Sequence, residues 1–156
     1  MRTIVIGLGN PVRADDSVGL GVARLLRERL RDRDDCDVVE LYAGGLHLVE
    51  AMAGYDRAVV IDALQTGRAA PGTVCRLTLD ELEGSRTTTC THDTSLPTAL
   101  EAWRRLAVPL PREIAVWGIE VENTESFSEE LTEPVARAVP GAARAILDEL
   151  RLGEGE

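Results

Sequence analysis

Aromatic residues are nearly missing from this chain, at 3% of its 156 positions, which excludes a core built on stacked rings. Val, Leu, Ile and Ala supply most of the 44% hydrophobic content, so the interior is expected to consist of aliphatic layers. Cysteine is sparse as well. Cys36, Cys75 and Cys90 form an odd set with no Cys-x-x-Cys spacing, which fits a reducing cytosol better than a secreted, disulfide-stapled scaffold. Long apolar runs are also lacking. The one ahead of Asn10-Pro11 is too short for a signal-peptide core and far short of a membrane span, so a soluble cytoplasmic protein without a membrane partner is expected. Positive charge is in deficit: the formal net charge is −10 and the pI is near 4.7. Such a surface repels phosphate backbones and argues against a nucleic-acid partner. The richest basic stretch, Arg24, Arg27, Arg29, Arg31 and Arg33, is interleaved with Glu28, Asp32, Asp34 and Asp35, the pattern of a solvated helix face and its exit loop.

What is present is an alternation of short apolar runs and helical periodicity, on a length that suits one domain, residues 1–156, burying about 70% of its unfolded surface. Thr3–Gly9 and Arg57–Asp62 lack polar alternation and read as strands buried on both faces, with Asp62 closing the second. Asp37–Leu41 and Glu113–Glu120 read as further strands. Thr73–Leu79 alternates and reads as a half-exposed, antiparallel edge. Helices are expected from about Asp16 to Arg31, over Leu46–Ala53, from Thr94 or Ser95 to Leu106, and from Thr132 to Leu152 with a kink or break at Pro140-Gly141. Residues 80–94, polar and threonine-rich, read mostly as a long loop, a feature often functional in compact domains. The fold class is therefore α/β: a three-layer αβα sandwich around a mostly parallel five-stranded sheet with one antiparallel edge strand. Function in such sheets gathers outside the carboxyl ends of the strands.

Several residues there can carry chemistry. Gly7-Leu8-Gly9-Asn10-Pro11 suggests a dinucleotide turn, but the third glycine of that fingerprint is Val12 here, and Asp15 and Asp16 would oppose a pyrophosphate. Asp15 and Asp16 suit either capping of the following helix or metal ligation. Asp62 points toward the crevice where ligands bind. Of the two histidines, His47 reads as structural and partly exposed, whereas His92 lies in a loop that can aim an imidazole at a neighbouring site. Cys90, two residues before His92, invites a thiol nucleophile with a histidine base, but alternate residues of an extended loop point apart, so a structural role is favoured. Asp16, Asp62 and His92 together make a plausible divalent-metal site.

Gly7-Leu8-Gly9-Asn10-Pro11 with Asp15-Asp16-Ser17-Val18-Gly19, Ile61-Asp62-Ala63, and His92 before Ser95-Leu96 resemble the hydrogenase maturation proteases. The resemblance extends through Gly118-Ile119-Glu120 to Leu131-Thr132. It implies an endopeptidase that removes a short C-terminal peptide from the nickel-loaded precursor of a nickel-iron hydrogenase large subunit. It assigns the metal to Asp16, Asp62 and His92, with the nickel contributed by the substrate, no permanent organic cofactor, and a monomeric enzyme. Asp16 stands where many members have glutamate and reaches one methylene less far. Ala43 and Leu46 flank Gly44-Gly45 where many members have an acidic residue and a threonine. Either Asp16 or Asp62 could serve as a general base, and the nucleophile stays open. Two alternatives remain: an esterase like peptidyl-tRNA hydrolase, whose opening motif is shared but which has an early histidine lacking here before His47, and a non-catalytic metal-sensing chaperone.

Overall fold

A computed structural model describes residues 1–78, 81 and 96–153. The strands are β1 (Thr3–Leu8), β2 (Cys36–Leu41), β3 (Arg57–Leu64), β4 (Val74–Leu77) and β5 (Glu113–Glu120). The helices are α1 (Val18–Leu30), α2 (Leu46–Met52), α3 (Leu96–Arg105) and α4 (Glu133–Leu152). They form a five-stranded sheet of order β2-β1-β3-β5-β4 in which only the β4–β5 pair is antiparallel, as the alternating pattern of that edge strand implied.

The two strands without polar alternation occupy the interior. Every residue of β1 and β3 is buried, because neighbours lie on both edges and helices on both faces. Successive side chains take opposite sides. Val5, Val59 and Ile61 join Val18, Val22 and Leu26 of α1 and Val135, Ala142 and Ile146 of α4. Ile4, Ile6, Leu8, Ala58 and Val60 join Leu48, Val49 and Met52 of α2 and Leu96, Ala99 and Leu100 of α3. The sandwich is thus α1/α4, sheet, α2/α3, with aliphatic interiors on both sides.

Four local expectations shift. A 3-10 turn, Ala14–Ser17, precedes α1, so Asp16 lies before the helix proper. β3 continues two residues beyond Asp62 because β5 pairs with it as far as Leu64–Glu120. Leu106 falls outside the apolar face of α3 and is 71% exposed, since the helix ends at Arg105. No break interrupts α4 at Pro140-Gly141. A proline inside a helix costs about 3 kcal/mol, but Pro140 points to solvent while Val135, Ala142 and Ile146, turned away from it, are buried and hold both halves on the sheet. Most of the threonine-rich segment, with Cys90 and His92, lies outside the described residues.

Candidate active site

β1 leads outward to β2 while β3 leads the other way, toward β4, and such a reversal of strand order opens a crevice at the carboxyl ends of the two strands. Glycines set how closely α1 approaches it. A Cβ on Gly19 would lie 2.5 Å from both the Leu8 and the Ile61 carbonyl oxygens, so only a residue without a side chain lets the start of α1 rest across both strands. At Gly9, with φ 155°, a Cβ would fall 2.1 Å from the Asp16 carbonyl oxygen. The Gly-x-Gly that resembles half of a dinucleotide fingerprint therefore serves close backbone packing. It folds the 9–17 segment over the sheet crest, where the Ala14–Ser17 turn packs against β3.

That packing brings two of the three expected ligands to one crest. Asp62, 1% exposed, is one residue beyond Ile61, the last β3 residue paired with β1. Its Oδ1 accepts the Ala63 backbone N–H at 2.8 Å. Asp16 is 5% exposed, and its Oδ2 accepts the Asn10 backbone N–H at 3.1 Å. The other oxygen of Asp16, Oδ1, is buried without a hydrogen-bond partner, and no ion pair reaches Asp16 among the described residues. Leaving a buried acceptor unmatched costs on the order of 1–3 kcal/mol, and more for a charged group. The cost falls away when an external donor or cation completes the site.

Asp15 and Asp16 do not cap α1. Ser17 is its N-cap residue and makes no side-chain cap bond. Asp15, fully buried, instead accepts from the backbone N–H groups of Glu122, Asn123 and Thr132 at 3.2, 3.1 and 2.7 Å, and from the Thr132 hydroxyl at 2.8 Å. Thr132 is the N-cap residue of α4. The acidic group thus serves a helix N-terminus, but that of α4, and it ties the loop after β5 to the Asp16 turn. Ala14 just before it adopts φ 46°, a left-handed conformation costing about 1–2 kcal/mol for a non-glycine residue. The bonds Ala14 N–H to Ser128 O and Asp15 N–H to Asn123 O hold it there. Glu120 has a parallel role. Its carboxylate accepts from the Thr66 and Gly67 N–H groups at 2.9 and 2.8 Å and from the Thr66 hydroxyl at 2.9 Å, fixing the loop after β3. Neither role was readable from the sequence, because each carboxylate finds its donors far along the chain.

His47, with its side chain 73% exposed beside Glu50, is remote in character from a buried ligand. Neither Cys36 nor Cys75 forms a disulfide. The Cys75 thiol is pushed up in pKa, first by burial and then by the Glu120 and Glu81 carboxylates, which opposes a thiolate nucleophile. Among the described residues no three metal-binding side chains cluster. Asp16 and Asp62 supply two oxygen donors, and His92, the expected third, lies outside those residues. The unpartnered Asp16 Oδ1 suits a hard or borderline divalent cation, which takes carboxylate oxygen and imidazole nitrogen.

Comparison with known proteins converges on one group. A family model described as HycI, hydrogenase maturation protease, matches residues 20–149. The hydrogenase expression/formation protein HoxM of Azotobacter vinelandii is 31% identical over 93% of this chain and 70% of its own length. The hydrogenase 2 maturation protease of Escherichia coli is 27% identical over 97% of this chain and 92% of that protein. Among solved structures, the hydrogenase maturating endopeptidase HybD from E. coli superposes with a TM-score of 0.76 at 25% identity, covering 98% of this chain and 94% of the other. These matches set aside the esterase alternative and agree with the sheet order and the single antiparallel pair. The chain is an endopeptidase and belongs to the hydrogenase maturation protease family.

Proposed function

We propose that this protein, acting as a single-domain cytoplasmic monomer, removes a short C-terminal peptide from the nickel-loaded precursor of a nickel-iron hydrogenase large subunit. The nickel arrives with the substrate. Asp16, Asp62 and His92 would hold it, a donor set of two carboxylates and one imidazole that Ni(II) accepts and that leaves coordination positions for substrate groups or water. When bound, a divalent metal polarises a carbonyl or acidifies a water.

The observation that carries this reading is the buried Asp16 Oδ1, without a partner among the described residues, at the crest that also holds Asp62. A carboxylate kept dry and incompletely bonded is poised to accept an external cation. Asn10 fixes its orientation through Oδ2, so Oδ1 keeps one direction. In the hydrolysis, water oxygen bonds to the scissile carbonyl carbon while a carboxylate takes the water proton. That proton passes to the amine nitrogen as the carbon–nitrogen bond breaks.

The test is incubation with the cognate precursor in nickel-loaded and nickel-free forms, followed by mass spectrometry. Shortening of the loaded form alone is expected. An intact loaded precursor would overturn the proposal, and nickel binding without cleavage would favour the non-catalytic chaperone.

A further inference from the structure

The only phenylalanine of the chain, Phe127, is not in the core. It is 89% exposed, the most exposed large apolar side chain among the described residues. A lone exposed apolar residue is ordinary on a protein surface. Three further observations set this one apart. First, its backbone is tied down on both sides. Ser128 N–H bonds the Val12 carbonyl at 3.0 Å, and Ala14 N–H bonds the Ser128 carbonyl at 2.8 Å. Asn123 Oδ1 accepts the N–H groups of Glu125 and Ser126 at 3.2 and 3.1 Å. Second, the same loop carries Glu122, Glu125, Glu129 and Glu130, all exposed. Third, Val12, the residue bonded to Ser128, is itself 43% exposed and lies on the segment that carries Asp16.

We propose that the 122–130 loop is the docking knob of this enzyme for the folded body of its protein substrate, with Phe127 as apolar anchor and the four glutamates as an anionic collar. The inference rests on the proposed function, since the occupant is the precursor. Charge complementarity defines the matching surface: an apolar pocket rimmed by arginine or lysine. An aromatic anchor inside a ring of polar contacts is the usual makeup of a binding hot spot. A loop already fixed by hydrogen bonds loses little freedom on docking. The collar accelerates encounter with a basic patch and rejects acidic partners. Because Glu122 and Asn123 both donate to Asp15 Oδ2, the knob is fixed to the residue next to Asp16, so docking there sets the position of a substrate tail at the crevice.

The test reads precursor binding and precursor cleavage separately, for wild type, Phe127→Ala, Phe127→Trp and the double variant Glu129→Lys/Glu130→Lys. Phe127→Ala should weaken binding and raise KM by about tenfold or more, with kcat within twofold and an unchanged melting temperature. Phe127→Trp should restore most of the affinity. The double charge reversal should weaken binding several-fold at low salt and approach wild type at high salt. Wild type that cleaves, with Phe127→Ala unchanged in KM and affinity, overturns the docking proposal and leaves the proposed function intact. Wild type that binds without cleaving overturns the protease reading, and the affinity of Phe127→Ala still decides the docking. Wild type that neither binds nor cleaves overturns both.

Discussion

At the amino end of the sheet, Arg57 opens β3 in a buried position and is met by countercharge. Its Nη2 lies 3.1 Å from Glu149 Oε1, its Nε lies 3.3 Å from Glu113 Oε2, and Glu149 is shared with Arg76 at 2.7 Å. Arg57 Nη2 also reaches the Glu149 carbonyl near the C-terminus of α4, where the helix dipole favours a cation. At the carboxyl end, Asp16 is as deeply buried but has no ion pair among the described residues and a bare Oδ1. The same sheet therefore meets buried charge with countercharge at one end, although Arg57 Nε and Nη1 make no hydrogen bond, and leaves the carboxylate of Asp16 without an ion pair among the described residues at the other. Compensated charge supports the fold, while uncompensated charge awaits a group from outside the chain.

Substitutions at the two ends should separate activity from stability. The largest effect expected is on turnover: Asp62→Ala and Asp16→Ala should each reduce precursor cleavage by more than about 100-fold, a loss typical of removing a catalytic acid or base. Mass spectrometry of timed digests measures the loss. For Asp16→Ala, thermal melting should show a fold no less stable than wild type, because the unmatched buried carboxylate is removed. A melting temperature that falls with activity would erase the contrast. Arg57→Ala should do the reverse and destabilise the domain by about 1.5–3 kcal/mol, since Glu149 loses one charged partner and keeps Arg76. Urea unfolding measures it, with the specific activity of the folded fraction expected to stay near wild type.

Asp15 lies at the carboxyl end yet behaves like the amino end, because its acceptors are filled. Asp15→Asn should lower stability by about 1.5–3 kcal/mol through weakened charge-assisted bonds. A matching rise in KM would show that the 122–130 loop has shifted; normal KM with lowered stability would confine the role of Asp15 to the fold. Smallest of all, His47→Ala and Cys90→Ala should leave cleavage within twofold of wild type. An inactive but folded Cys90→Ala would revive a thiol nucleophile. In the same spirit, Cys75 should alkylate more slowly than a free cysteine at pH 8, because its raised pKa leaves less thiolate.

How legible these features were depends on the range of the interactions behind them. β1 and β3 announced themselves locally, since strands covered on both faces need apolar residues at every position. β4 did so by its alternation. Asp62 was readable as the polar residue at the end of such a run. Asp15 was not, for its donor Thr132 is 117 residues away and nothing near Asp15 signals it. Arg57 likewise read as the ordinary start of a strand, because Glu149 is 92 residues distant. The break that Pro140 suggested does not occur, because helix propensity is local while the face that overrides it is tertiary.

The contact of Gly19 with the Leu8 and Ile61 carbonyls has a consequence for how this protein varies over time. Where backbone touches backbone, the separation of two segments is set by atoms that no substitution changes. The aliphatic layers on either face can exchange valine for isoleucine, or leucine for methionine, and the crest that carries Asp16 and Asp62 keeps its spacing. Gly19 thus works as a built-in gauge, letting the interior drift in sequence while the dimensions of the crevice are inherited intact.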